Sequence, residues 1–354
     1  MSQEEVLVQI EARLARAVAE RVFPGAVLGV VRKNGERLYR AVGRQTYESG
    51  SPLVGKDTVY DCASITKAIP TASIGLRLLE EGKIDLDQKL ASYLPEFRNS
   101  DRDNVRMRHL FTYSLDGYGT ARFYKESPEA MLEYVFTHDF KERPGTVFKY
   151  SNVPIFLLGL VIERVAGKKI DELAEHYFFK PLGMRESTFH PEQFPLERIA
   201  PTEINDWRGF VRGVVHDESA AVFMEQRRAV VGHAGLFSNA PDLLTFLLML
   251  LAEGSLHGTQ FFKKETVLSM HTNQLESIGE SVGLGWELNQ PRFMGSGSRP
   301  STFGKTGFTG TVVVVDPERE VAYTLLSNRI YPVRGSADAI NAVRRDLSDL
   351  VFSL

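Results

Sequence analysis

The chain has 354 residues, 43% of them hydrophobic, and its 42 Lys and Arg residues nearly balance 45 Asp and Glu residues, giving a net charge of -3. This length and composition allow one large core or two modest ones and exclude a disordered protein. Because there is no general basic field, we expect neither nucleic acid nor a membrane surface as a partner. A small-molecule substrate fits better, and the oligomeric state is left open.

Residues 1–22 alternate charged and apolar side chains at helical spacing and lack the uninterrupted apolar core of a secretory signal. They predict an amphipathic helix. With no signal peptide visible, we expect a cytoplasmic protein, provided that the chain has not been processed. The longest apolar runs, 155–162 and 243–252, are well short of the ~20 residues that cross a bilayer, so they predict buried helices.

Predicted strands lie at both ends of the chain and predicted helices lie between them. Asn34-Gly35 joins two apolar runs, which is the strongest short signal for a β-hairpin. The remaining predicted elements are, in chain order, helices over 71–82, 155–167 and 241–254, strands over 311–317 and 321–328, and a helix over 337–350. Each of the three internal helices is predicted to end at a glycine in the left-handed conformation.

This order favours an α/β (α+β) fold with an antiparallel sheet built from both chain ends, flanking helices and an inserted, mainly helical domain. We expect residues 1–60 and 280–354 to form a discontinuous sheet domain and residues 61–279 to form the insertion. A site at their junction would combine residues from distant parts of the chain.

Three short motifs carry chemistry. Ser64 and Lys67 form S-x-x-K at the start of a predicted helix, where residues three apart share a face. Y-S-N follows at 150–152 and K-T-G at 305–307. Acyl-transfer enzymes place a base beside a serine nucleophile and oxyanion donors in front of the carbonyl. Each motif alone is weak, but the three in this order indicate a serine nucleophile.

Together the motifs resemble those of class C β-lactamases and the related DD-peptidases and family VIII esterases, within the penicillin-binding-protein superfamily. The resemblance covers nearly the whole chain. It implies a β-lactamase/transpeptidase-like fold and a serine acyl hydrolase that forms an acyl-enzyme on Ser64. The implied catalytic residues are Ser64, Lys67, Tyr150, Asn152 and Lys305, and the implied substrate-binding residues are Thr306, Gly307 and Phe308.

A physical role can be given to each member of the first two motifs. Ser64 is the expected nucleophile, and its backbone amide at a helix start is expected to be an oxyanion donor as well. Lys67 is expected to hydrogen-bond the serine oxygen and to help lower the pKa of Tyr150, the expected general base. Asn152 has both a donor and an acceptor and is expected to hold Lys67 and a substrate amide.

The third motif is expected to bind substrate. Lys305 would add positive charge near Tyr150 and attract a substrate carboxylate. Gly307 would let the strand edge approach the substrate closely, and the amide of Phe308 would be the second oxyanion donor.

Other candidate residues receive structural roles. Cys62 is the only cysteine, which excludes an intramolecular disulfide, and we expect it in the core. The histidines show no metal-ligand spacing, so neither a metal nor another cofactor is expected. His233 lies in G-H-A-G-L-F-S, and a structural role is slightly favoured for it over a substrate contact. Segment 109–119 departs from the pattern usual among the relatives and is expected near the site.

Three functions remain open. Lys305 favours carboxylate-bearing substrates, either β-lactams or D-amino-acid peptides. The missing export signal favours an intracellular carboxylesterase of the same fold. A non-catalytic, penicillin-binding-like protein is the third possibility, but such a protein need not retain Ser64, Lys67 and Tyr150 together.

Overall fold

The computed structural model describes residues 2–116, 120, 123 and 125–354. Its helices are α1 (Gln3–Ala19), α2 (Ser73–Glu80), α3 (Leu90–Tyr93), α4 (Met107–Thr112), α5 (Pro128–Thr137), α6 (Val153–Ala166), α7 (Ile170–Ala174), α8 (Lys180–Leu182), α9 (Glu218–Arg227), α10 (Ala240–Leu251), α11 (Lys264–Met270), α12 (Pro291–Met294) and α13 (Ala337–Val351). Its strands are β1 (Gly25–Arg32), β2 (Arg37–Gly43), β3 (Tyr60–Asp61), β4 (Glu203–Asn205), β5 (Gly209–Val211), β6 (Phe237–Ser238), β7 (Ser255–Leu256), β8 (Thr259–Gln260), β9 (Glu287–Leu288), β10 (Phe303–Thr306), β11 (Val312–Asp316) and β12 (Val321–Ser327).

Within this part of the chain, the main sheet has six antiparallel strands in the order β2-β1-β12-β11-β10-β9. The two chain ends meet where β1 pairs with β12, with Ala26 opposite Ser327. The predicted hairpin is confirmed, since β1 and β2 pair with Val31 opposite Arg37. The sheet is therefore built from both chain ends, as the sequence predicts.

Different helices cover the two faces of this sheet. Leu28 and Val30 of β1 share a core with the terminal helices α1 and α13. Val27 and Val31 point to the other face, where α10 packs. Gly29 lies on that same face, and a Cβ there would come within 3.0 Å of Leu244. Each large aliphatic side chain buried in this way contributes about 1.5–3 kcal/mol to the free energy of folding.

The predicted glycine ends of the internal helices are only partly correct. Gly167 ends α6 with φ 65°, and Gly82 follows α2 with φ 69°. After α10, the residue that follows the C-cap is Glu253, with φ 55°, and the predicted Gly254 comes next with φ 91°. Gly254 is also required by close packing, because a Cβ there would lie 2.4 Å from the carbonyl oxygen of Phe262.

The inserted segment is mainly helical, but its division from the sheet at residues 61 and 279 stays a prediction. The S-x-x-K motif is predicted at the start of an α-helix, but it does not lie on a regular one. The chain forms a 3-10 turn at Ala63–Lys67 and a π-helical turn at Ala68–Ala72 before α2 begins. None of the helices among the described residues has the length and apolar character needed to cross a bilayer.

Candidate active site

A cleft with a volume of about 370 Å³ lies between β10 and the loops that precede α6 and α9. It is lined by Ser64, Tyr150, Asn152, Thr306, Gly307 and Phe308. The two predicted lysines, Lys67 and Lys305, are fully buried behind this lining. The structure therefore brings together the eight site residues predicted from the three motifs.

Lys67 and Ser64 are in direct contact. The Nζ of Lys67 donates to the Oγ of Ser64 over 2.7 Å and to the carbonyl oxygen of His233 over 2.9 Å. Burial lowers the pKa of Lys67 to about 7, while the carboxylate of Asp217 opposes the shift. The side chain beside the serine can therefore lose its proton near neutral pH and accept another from the hydroxyl group.

A strained turn presents Ser64 to the cleft. The preceding residue, Ala63, has φ 47°, a left-handed conformation that is uncommon for alanine. The carboxylate of Asp61 holds the turn by accepting from the amide of Ala63 over 2.7 Å and from that of His216 over 2.7 Å. Backbone strain of this kind persists only where the surroundings over-determine it, and it is common at active sites.

The K-T-G strand is fastened to this turn. The hydroxyl of Thr309 donates to the carbonyl of Asp61 over 2.7 Å, and that of Thr311 to the carbonyl of Cys62 over 3.1 Å. Gly307 is needed for this contact, because a Cβ would lie 2.5 Å from the Cys62 carbonyl oxygen. The glycine therefore allows close approach to the serine turn, whereas the sequence predicts approach to the substrate.

Tyr150 has a higher pKa than the sequence predicts. Burial raises the pKa of the phenol above its usual range, and the carboxylate of Glu287 adds to the effect, while a hydrogen bond with Ser64 opposes it. The residue keeps 41% of its surface exposed, so solvent in the cleft moderates the shift. The expected lowering of this pKa is therefore wrong, since burial and Glu287 outweigh the groups that oppose them, and the protonated phenol is the favoured form.

Lys305 is not a free cation. Its Nζ lies 3.2 Å from Oε1 of Glu287, and both side chains are buried. The same ammonium lies 4.1 Å from the ring centroid of Tyr113 and 4.4 Å from that of Tyr150. A second cation, Arg292, binds Glu287 over 2.6 Å. Sequence reasoning missed Glu287 because no local pattern links β9 to the K-T-G strand.

Asn152 contacts a carboxylate. Its Nδ2 donates to Oδ2 of Asp217 over 3.2 Å and to the hydroxyl of Thr120 over 3.1 Å. Among the described contacts, no hydrogen bond joins Asn152 to Lys67, so the expected direct link is not found. The other oxygen of Asp217 lies 3.0 Å from Nε2 of His233. His233, which is fully buried, thus has a structural contact at the cleft wall.

Segment 109–119 does lie beside the site, as far as it is described; residues 117–119 fall outside the described residues. The ring of Tyr113 is 5.3 Å from that of Tyr150 and forms a wall for the Lys305 ammonium.

Cys62 is buried, and burial raises its pKa well above the usual value for a thiol. No group of three or more potential metal ligands occurs in the described ranges.

Two buried arginines line the far wall of the cleft, beside the turn at 307–311. Arg329 is 8% exposed and Arg344 is 4% exposed, and both lack an ion-pair partner among the described residues. The Nη2 of Arg344 donates to the carbonyls of Gly307 and Thr311, but its Nε, like that of Arg329, has no described partner. Burial and mutual repulsion lower the pKa of Arg344 to about 9.

A cleft serine hydrogen-bonded to a buried lysine, with a tyrosine and two candidate backbone donors around it, is the arrangement of a serine acyl hydrolase. The chain belongs to the Beta-lactamase family, whose model matches residues 10–346. It is therefore an enzyme of the serine hydrolase class, and this family acts on small molecules such as β-lactams, peptides or esters.

Two curated relatives match most of the chain. The chain is 30% identical over 347 residues to the "Putative D-alanyl-D-alanine carboxypeptidase" of Escherichia coli strain K12, with 87% of this chain and 79% of the relative covered. It is 30% identical over 349 residues to the N-acetylmuramyl-L-alanine amidase of Bacillus subtilis strain 168, covering 87% and 77%. The solved structure of EstCE1, a hydrolase with promiscuous acyltransferase activity, superposes with a TM-score of 0.75 at 20% identity, covering 98% of each chain.

Proposed function

We propose that this protein is a serine acyl hydrolase that forms an acyl-enzyme on Ser64 and acts on carboxylate-bearing substrates, either β-lactams or D-amino-acid peptides. The observation that carries the proposal is the 2.7 Å hydrogen bond between the Nζ of a fully buried Lys67 and the Oγ of Ser64. A buried lysine with a pKa near 7 is suited to accept the serine proton.

In the proposed acylation step, neutral Lys67 takes the hydroxyl proton while the Ser64 oxygen bonds to the substrate carbonyl carbon. The resulting oxyanion is bound by the amides of Ser64 and Phe308. When the bond to the leaving group breaks, the phenol of Tyr150 gives that group a proton and recovers one from the Lys67 ammonium. Attack by water then releases the acyl group and regenerates the serine. The raised pKa of Tyr150 supports this role over that of a phenolate base.

The charge of the cleft supports a carboxylate-bearing substrate. Lys305, the predicted carboxylate ligand, is already paired with Glu287. Arg329 and Arg344 line the same cleft and have no described anionic partner. Because an unpaired buried charge is costly, an anionic substrate group that pairs with these guanidinium groups gains a charge-assisted contact. One curated relative is named a putative D-alanyl-D-alanine carboxypeptidase, which agrees with a D-amino-acid peptide as substrate.

The second candidate is a carboxylesterase of the same fold. The Lys305–Glu287 ion pair favours it, because the cation nearest the motif residues is neutralised within the protein. The likeness to EstCE1 bears on the fold alone at its level of identity. A non-catalytic binding protein is disfavoured, since it would have no need of the Ser64–Lys67 hydrogen bond. A cytoplasmic location stays a prediction.

Intact-mass spectrometry after separate incubation with a fluorophosphonate, a penicillin and a p-nitrophenyl ester tests the proposal. We expect one adduct per chain, mapped to Ser64 by peptide analysis, and no adduct in Ser64→Ala, which should keep its fold. A stoichiometric adduct on another residue, Cys62 included, would contradict the assignment of Ser64 as the nucleophile. A penicillin adduct or turnover favours the first candidate, and reaction with the ester alone favours the second.

A further inference from the structure

Asp217 lies at the cleft with its carboxylate fixed from one side. Its Oδ1 accepts from the hydroxyl of Ser219 over 2.8 Å and from the amide of Ala220 over 3.0 Å, and it lies 3.0 Å from Nε2 of His233. Its Oδ2 faces Asn152 at 3.2 Å. Three donors thus hold one oxygen, while the other is directed at a motif residue.

This geometry determines which way the Asn152 amide faces. An ionised carboxylate can only accept hydrogen bonds, so the NH₂ group of Asn152 must point to Asp217 and its Oδ1 must lie on the opposite side of the amide. The hydroxyl of Thr120 also accepts from the same Nδ2, over 3.1 Å. The carboxylate therefore leaves an acceptor of known orientation for the donor of a substrate amide.

His233 connects Asp217 with the buried lysine. His233, whose ring meets Asp217, also binds the Nζ of Lys67 through its own carbonyl oxygen. The charged and titratable groups that face Lys67 are Asp217 before α9, Glu287 on β9, Lys305 on β10 and Tyr150 before α6. Glu287 has Lys305 and Arg292 as its cations. Asp217 is consequently the carboxylate whose charge is directed mainly at Lys67 and His233.

We infer that Asp217 is a positioning residue: held by His233, Ser219 and the amide of Ala220, it orients the Asn152 side chain and supplies the negative charge that favours the ammonium form of Lys67. The inference rests on the proposed function, since it assumes that neutral Lys67 accepts the Ser64 proton. The direction of the Asp217 effect on the pKa of Lys67, which is upward, agrees with it.

The test is the pH profile of kcat/KM for a neutral p-nitrophenyl ester in Asp217→Asn. Removal of the negative charge disfavours the ammonium form of Lys67, so the pKa falls and the acid limb of the profile moves about one unit to lower pH. The amide introduced at position 217 can also donate a hydrogen bond, which frees the Asn152 amide to flip. We therefore expect at least a tenfold larger loss on penicillin or a D-peptide than on the ester.

Asp217→Glu and Asp316→Asn complete the experiment. The glutamate keeps the negative charge, but its longer side chain displaces the carboxylate from Asn152. The acid limb should therefore stay in place while activity on the amide substrates falls. Asp316 is a fully buried carboxylate that pairs with Arg319 at the end of β11, and its loss should leave the limb unmoved. If circular dichroism shows that Asp217→Asn is not folded, Asp217→Glu is used for the test. In that case, equal losses of kcat/KM on amide substrates and on the ester overturn the inference.

Failure of the inference and of the proposed function are distinguishable. If wild-type Ser64 is not labelled by the fluorophosphonate, the proposed function fails. If Ser64 is labelled and folded Asp217→Asn has the wild-type acid limb, the proposed function stands and the role of Asp217 is refuted.

Discussion

The Nζ of Lys305 lies 3.2 Å from the carboxylate of Glu287 in the protein interior, so its charge is neutralised before any substrate arrives. Lys305→Ala should therefore lower kcat/KM by similar factors on neutral esters and on carboxylate-bearing substrates. It should also destabilise the fold by about 3–5 kcal/mol, because Glu287 is left buried with only Arg292 as partner.

Steady-state kinetics on both substrate classes and thermal unfolding check this expectation. Lys305→Ala combined with Glu287→Gln is the matched control and should regain much of the lost stability, since no unpaired carboxylate remains. A loss confined to carboxylate substrates would return the carboxylate-binding role to Lys305.

Arg329→Ala should discriminate between the two substrate classes. If its guanidinium group binds a substrate carboxylate, kcat/KM for a penicillin or a D-peptide falls about ten- to a hundredfold, the value of a charge-assisted hydrogen bond, while a neutral ester is much less affected. Arg319→Ala, which removes an arginine paired to Asp316 outside the cleft, is the control. Equal losses on both classes would favour the esterase.

Tyr150→Phe should separate acylation from leaving-group protonation. We expect turnover of amide substrates to fall about 10²–10⁴-fold, the usual cost of losing a general acid. Labelling of Ser64 by a fluorophosphonate should persist, because fluoride leaves without a proton. If labelling and turnover are lost together, Tyr150 is the base that activates the serine, and Lys67 is not.

The activity should have an acid limb near pH 7. Burial lowers the pKa of Lys67 to about 7, and the neutral amine is the active form, so kcat/KM falls as pH decreases through that value. The rate of Ser64 labelling measured between pH 5 and 9 should follow the same curve, and Lys67→Arg should be inactive throughout. A rate that is constant across this range would exclude Lys67 as the base.

Gly307→Ala should damage both stability and activity. The added Cβ would lie 2.0 Å from the Thr311 hydroxyl and 2.5 Å from the Cys62 carbonyl oxygen, so the β10 end and the serine turn must move apart. Overpacking of this kind typically costs about 1–3 kcal/mol. Gly50→Ala, where nothing lies within 4 Å, should change neither the melting temperature nor the labelling rate.

Local patterns predict the elements that have strong local signals. The Asn34-Gly35 hairpin and α6 follow from turn chemistry and apolar spacing, and both are present. The bounds of β10, the strand edge expected at K-T-G, are not predicted, because the strand is short and contains Gly304, which is needed where a Cβ would lie 2.5 Å from the Val313 carbonyl oxygen. The sequence carries no separate signal for such a backbone contact.

The site divides in the same way. The residues of the three motifs could be found because each motif is contiguous or has helical spacing. Glu287 and Arg329 could not be found, because their place at the site depends on sheet pairing and on the turn at 307–311. The pKa of Tyr150 was predicted in the wrong direction, since burial and a carboxylate from β9 decide it. Burial and the position of that carboxylate are properties of the folded chain.

The attachment of the K-T-G turn to the serine turn also bears on how the protein is made. Thr309 and Asp61, which are joined by a 2.7 Å hydrogen bond, lie 248 positions apart in the chain. A growing polypeptide therefore carries the S-x-x-K segment through most of its synthesis without the second oxyanion donor. On the proposed mechanism, the pair of oxyanion donors is complete only when the last strands join the sheet, so an incomplete chain cannot stabilise the oxyanion of an acyl transfer to Ser64.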